Sequence, residues 1–476
     1  MASPTGCSFP LIGRSFALAL SLLALSCFSL AATITASASA QGKSRSPQRI
    51  VVRYAPPGAK AHTRAAAASV SDSDTAATRT KTLDLPAHES LDHALARLRA
   101  KPNVEWAVPD YVAHTSEVAI PDDEGNTGEA GGWQQLQWNF SGPFGVNAPQ
   151  AWANLAGDHA PGGRGVTVAV LDTGVAYANR GPFRISPDFN RYEFVRGYDF
   201  VGHDPYPNDR NGHGTFVAAT IGEQTNNTIG LTGLAFGARI MPVRVLDTEG
   251  EGEASTIAEG VRYAVDHGAQ VINLSLEFSP GVTAADIPEL ISAIRYAHRH
   301  RVLVVAAAGN EGHTALAYPA RAPDVISVGA TTEHGCLAAY SNDGSGLTIV
   351  APGGGPDANL PDDPNCESER PGRDVFQMTF TGNSPRRFGL PSGYEGTSMA
   401  TPHVAATAAL VIASGVLGPD PTPAQITARL TATARKLGGG GDERLYGAGL
   451  VDAGAATAPG GPGAVKGVAT TPTNQQ

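Results

Sequence analysis

Five nearly continuous apolar runs punctuate the middle of the chain, at residues 166–171, 240–246, 271–276, 302–307 and 325–328. Between and after them, apolar residues recur at helical spacing over 214–221, 255–266, 284–297, 398–413 and 423–434. The last of these opens with Thr422, Pro423 and Gln425, a capping-box signature. Strands that are apolar on both faces, separated by amphipathic helices, predict an α/β fold with a doubly covered, mainly parallel sheet. A second pattern precedes it. Residues 50–54 read as a strand, 61–80 as a loose polar and alanine-rich insert, and 104–108 as a half-buried strand. Residues 90–100 read as a helix with Leu91, Ala94, Leu95 and Leu98 on one face, giving a small α+β domain over 41–117.

The two ends of the chain differ from both patterns. Arg14, an apolar stretch over 16–30 and then Ala38-Ser39-Ala40 have the form of an export signal cut after Ala40. Leu25-Ser26-Cys27 offers a lipoprotein cysteine as a minor alternative. After Thr457 a Pro-, Gly- and Thr-rich tail carries no core pattern, so 458–476 is expected to be flexible and 118–457 to form the main domain. No internal repeat and no later membrane span is evident.

Composition fits this division. With 476 residues, 42% of them hydrophobic and 16% charged, the chain can bury a full core and is too weakly charged to be disordered. Charge is uneven: residues 1–120 carry +4 and residues 121–476 carry −14. The acidic main domain argues against nucleic acid or an anionic membrane as partner, and a monomer is expected. A basic leader beside an acidic domain should associate with it, less so in salt. Cys7 and Cys27 lie in the export signal, leaving Cys336 and Cys366. In an oxidising compartment these are expected to pair, two free buried thiols being the alternative.

Three separated segments supply an acid, an imidazole and a hydroxyl. The run 166–171 ends in Asp172-Thr173-Gly174, Asn211-Gly212-His213-Gly214-Thr215 opens a helix, and Gly396-Thr397-Ser398-Met399-Ala400-Thr401-Pro402 opens another. A serine hydroxyl is a poor nucleophile until an imidazole takes its proton, so His213 would be general base and then general acid. Asp172 would orient that imidazole and stabilise its charged form. Asn310, which follows the apolar run 304–308 and Gly309, would donate to an oxyanion alongside the backbone N–H of Ser398 at a helix start. Pro402 is expected near the helix's first turn, where a missing N–H costs least. Singly, each residue is as ordinary as a turn, loop or cap residue; the conjunction points to a serine hydrolase.

These motifs, in the order Asp, His, Asn, Ser, resemble those of the subtilisin-like serine proteases over most of residues 130–455. The resemblance implies an endopeptidase acting on proteins through an acyl-enzyme. It also implies that 41–117, ending near Pro109-Asp110-Tyr111-Val112-Ala113-His114, is a propeptide that assists folding and inhibits the enzyme until cut. Substrate would lie between two edges, Gly250-Glu251-Gly252 and Ser275-Leu276-Glu277, with Ala307, Ala308 and Gly309 as the wall of the pocket before the scissile bond. Glu277 stands where the family usually has glycine, and with Glu251, Glu253 and Glu311 nearby it could favour basic side chains. Phe216 replaces a common histidine and is read as a packing change. A structural Ca²⁺ is implied, with Asp188, Asn227 and Gln137 as side-chain ligands and Thr225, Ile229 and Leu231 as carbonyl ligands.

No Lys or Arg occurs from Pro102 to Gly163, so a self-cutting enzyme would have to cleave after a non-basic residue, and a junction soon after His114 is expected. Two other readings stay open. An α/β-hydrolase esterase would need G-x-S-x-G and the order Ser, acid, His, and a secreted binding protein on an inactive protease fold would not need all four positions filled.

Overall fold

A computed structural model describes residues 49–55, 79–85, 89–110, 120–156, 160–382, 384–439 and 442–464. The expected export signal at 1–40, the expected junction near His114 and the tail beyond 464 lie outside the described residues. The chain divides into two compact units, 1–115 and 116–476.

In the first unit, strand Arg49–Tyr54 pairs antiparallel with both Thr80–Asp84 and Val104–Pro109. The period of two turns Ile50 and Val52 inward, onto Ala94, Leu95 and Leu98 of helix Leu91–Arg99. Ser90 caps that helix by accepting from the His93 N–H. Thr80–Asp84 was not foreseen, because four of its five residues are Thr, Lys or Asp and only Leu83 marks a buried face.

The second unit holds a seven-stranded parallel sheet in the order Ile349–Pro352, Val325–Thr331, Leu303–Ala307, Val271–Leu274, Thr167–Asp172, Arg239–Arg244, Tyr198–Asp199. Alternation within the apolar runs serves two cores. Val168 and Val170 pack into one with helix Thr397–Ser414, while Ala169 and Leu171 pack into the other with helices Ala254–Asp266 and Pro288–Arg299. Burial on both faces explains why these strands are apolar throughout. The chain leaves Thr167–Asp172 toward one sheet edge and later returns to fill the other side, so the order reverses beside that strand. Such a reversal opens a crevice at the strands' carboxyl ends.

The helix expected from 284 starts at Pro288, a residue suited to the first helical position, while Ile287 before it is non-helical. Helices Trp133–Leu136, Trp138–Ser141, Ala148–Ala156, Glu443–Tyr446 and Ala453–Thr457 were not anticipated; apart from Ala148–Ala156 they are four or five residues long, too short to show a period. The last of them ends at Thr457, where the core pattern stops.

Cys336 and Cys366 form a disulfide across a sequence separation of 30. Replacing both by Ser should lower stability by about 2–4 kcal/mol, read as a lower denaturant midpoint. An unchanged midpoint would mean that the bridge does not constrain the unfolded chain.

Candidate active site

Asp172 is the last residue of its strand and is fully buried. One carboxylate oxygen, Oδ1, accepts from His213 Nδ1 at 2.7 Å and from the Thr173 N–H at 2.7 Å. His213 is the first residue of helix His213–Gly222, reached through Gly212 at φ +110°. Gly214 allows the close approach of helix to strand, since a Cβ there would lie 2.2 Å from the Gly174 carbonyl oxygen.

Beneath this pair sits Asp209, which the sequence reading passed over. It is buried and accepts from Thr173 Oγ1, from Thr215 Oγ1 and from the N–H groups of Asn211, Gly212 and Thr215. It therefore ties the residue after the acid to the segment that presents the imidazole. Its only signal was an acid four residues before His213. Burial disfavours the imidazolium, but the charges of Asp172 and Asp209 and the Asp172 hydrogen bond outweigh it, raising the His213 pKa.

Ser398 is the second residue of helix Thr397–Ser414 and lines one cleft of about 560 Å³ with His213, Gly250, Glu251, Gly252, Ser275, Leu276 and Glu277. Its hydroxyl donates to the Ser275 carbonyl at 3.3 Å, so it must turn toward His213 before it reacts. Such loose geometry is common before substrate binds. Pro402 is the sixth helical residue, not part of the first turn as expected. The carbonyl that a residue 402 N–H would have satisfied belongs to Ser398, and it accepts instead from Ser275 Oγ at 2.8 Å. Asn273 Nδ2 in turn donates to Ser275 Oγ.

Asn310 lies against the same helix start. Its Oδ1 accepts from the Thr397 N–H at 2.8 Å and Thr397 Oγ1 at 3.0 Å, and its Nδ2 donates to Glu277 Oε1 at 3.0 Å. Ala307, Ala308 and Gly309 are buried behind it. Glu277 also accepts from the Asn310 N–H, so both of its carboxylate oxygens are engaged by Asn310 while the side chain lines the cleft. Burial and the nearby Glu311 charge raise its pKa against the two Asn310 hydrogen bonds. Phe216 is fully buried and stacks on Tyr394 at 4.3 Å, a packing role.

The expected calcium residues form a second cluster. Asp188 accepts from Asn227 Nδ2 and from the Leu231 N–H. Gln137 pairs through its amide with both the N–H and the carbonyl of Thr232, the residue after Leu231. Asp123 also meets this loop, accepting from Thr225 Oγ1 and from the N–H groups of Asn226 and Asn227.

A family model described as the subtilase family matches residues 163–449. The chain belongs to that family. As a subtilase it is a subtilisin-like serine protease, which sets aside the α/β-hydrolase reading. It is 35% identical over 358 residues to a thermophilic serine proteinase of Bacillus sp. (strain AK1), covering 75% of this chain and 74% of that one. It is 40% identical over 316 residues to Subtilisin BL of Lederbergia lenta, covering 66% of this chain and 98% of the other. Among solved structures it is similar to a protease of Pseudoalteromonas arctica PAMC 21717, with a TM-score of 0.57, 30% identity and coverage of 71% and 99%.

General-base action needs neutral imidazole, and this subtilase's His213 holds its proton more tightly than usual. The acid limb of its kcat/KM profile should therefore lie above about pH 6.5, the ordinary histidine value, with activity lost as pH falls through it. A limb below that value would contradict the geometry around Asp172 and Asp209.

Proposed function

We propose that this subtilase is a secreted serine endopeptidase, made as a precursor that removes its own N-terminal domain. The observation that carries the reading is the 2.7 Å bond from His213 to buried Asp172 beside a cleft that also holds Ser398. With a peptide lying between 250–252 and 275–277, His213 Nε2 takes the Ser398 proton and Oγ attacks the carbonyl carbon. The oxyanion draws on the Ser398 N–H and Asn310 Nδ2, and His213 then protonates the leaving amine. Water hydrolyses the acyl-enzyme by the same route in reverse.

Self-processing rests on the separate N-terminal unit and its opposite charge, and the lack of Lys and Arg from 102 to 163 requires that such a cut follow a non-basic residue. Export rests on residues 1–40 and on the disulfide. No helix among the described residues is long and apolar enough to cross a membrane. Intact masses and N-terminal sequencing test this reading: wild type should begin between residues 115 and 132, and Ser398→Ala should retain residue 41. Identical processing of both would assign the cut to another protease.

A structural Ca²⁺ fits the cluster at Asp188. Asp123, Asp188 and Glu223 are fully buried, Glu223 shares its carboxyl with Asp188, and among the described residues none of the three forms an ion pair. The carbonyls of Thr225, Ile229 and Leu231 accept no hydrogen bond among the described residues, so they remain available to a hard cation. Bound there, the ion would supply the missing positive charge and hold the loop; it takes no part in peptide hydrolysis. Burial raises the carboxyl pKa values, that of Asp188 to about 8. Without a cation, stability is greatest where these groups are protonated and falls as pH rises toward the raised values. A chelator should therefore lower Tm more at about pH 9 than at about pH 5. An equal or absent shift would remove the cation from this cluster.

A further inference from the structure

An asparagine amide can present either its oxygen or its NH₂ to a given direction, and only the NH₂ stabilises an oxyanion. Two neighbours decide the matter for Asn310. Thr397 offers two donors, N–H and Oγ1–H, and both meet Oδ1. On the other side Glu277 offers an acceptor: Oε1 takes one Nδ2 hydrogen, and Oε2 takes the Asn310 N–H at 3.1 Å. One Nδ2 hydrogen is left unclaimed. Gly309 makes the contact possible, since a Cβ at that residue would lie 2.6 Å from Glu277 Oε2. Glu277 also lines the catalytic cleft, so it spans from the cleft surface to the donor.

We propose that Glu277 is a positioning residue that fixes the side chain and backbone of Asn310 so that one amide hydrogen faces the developing oxyanion. The inference rests on the oxyanion role of Asn310 given above. A carboxylate close to a developing negative charge would oppose catalysis by repulsion, so hydrogen bonding and charge make opposite predictions and can be separated.

The test is a set of steady-state kinetics on Glu277→Ala, Glu277→Gln, Asn310→Ala and the double variant Glu277→Ala/Asn310→Ala, each corrected for active sites by fluorophosphonate titration. Asn310→Ala should lower kcat by about 10²–10³-fold. Glu277→Ala should lower kcat about tenfold with KM nearly unchanged, the pattern of an interaction made only in the transition state. Glu277→Gln keeps an acceptor for Nδ2 but turns an NH₂ toward the Asn310 N–H, so it should recover part of that loss. In the Asn310→Ala background, Glu277→Ala should change kcat by less than about twofold, because its route of action is gone. A tenfold loss persisting in that background, or a rise in kcat for Glu277→Ala, would overturn the proposal. So would a loss confined to substrates with Lys before the scissile bond, which would make Glu277 a substrate counter-ion. If Asn310→Ala leaves kcat unchanged, the oxyanion role itself fails and takes the proposal with it, whereas additive losses defeat only Glu277.

Discussion

A helix buried on every side must be largely apolar and must satisfy its few polar side chains internally, and the molecule is arranged around one such helix. All but four of the 18 residues of Thr397–Ser414 are buried, and the helix packs against the sheet strands and the helices beside them. In its first two turns Ser398 alone is not buried. The nucleophile is thus a partly exposed residue at the start of a deeply packed helix, and the core's close packing restricts its movement. The positive end of the same helix lies where negative charge will form.

Around that tip, polar groups are fixed by one another rather than by solvent. Asn273 donates to Ser275, Ser275 to the carbonyl left without a backbone donor by Pro402, and Thr397 to Asn310. Asp209 does the same for the other half of the site, joining Thr173 to Thr215. Hydrogen bonds of this kind gain from the low local dielectric and are costly to leave half made. The interior proline is accommodated because its missing donor is replaced by the side chain of a residue bordering the cleft.

Charge follows the opposite logic in the loop 225–231. The acids there are buried without basic partners, and burial, not a neighbouring cation, dominates their titration. Asp199 shows the contrast, since buried Arg244 pairs with it at 3.0 Å. An acid cluster without such a partner relieves its charge either by taking up protons or by binding a cation.

The sequence by itself determined the elements whose signal is local. Apolar runs gave the central strands, helical spacing and caps gave the long helices, and four motifs with their neighbours gave Asp172, His213, Asn310 and Ser398. Only the tertiary structure decided which distant groups meet. Asp123 meets the backbone of the loop, Gln137 pairs with Thr232, Asp209 underpins the imidazole, Pro402 lies inside a helix, and Glu277 binds Asn310 from the cleft wall. The two-residue strand Tyr198–Asp199 and the edge strand Ile349–Pro352 were likewise beyond reach, being too short for a period. The physical reason is common to all of these. Periodicity and capping act within a few residues, whereas a buried polar atom is satisfied by whatever the packed fold brings within about 3 Å of it.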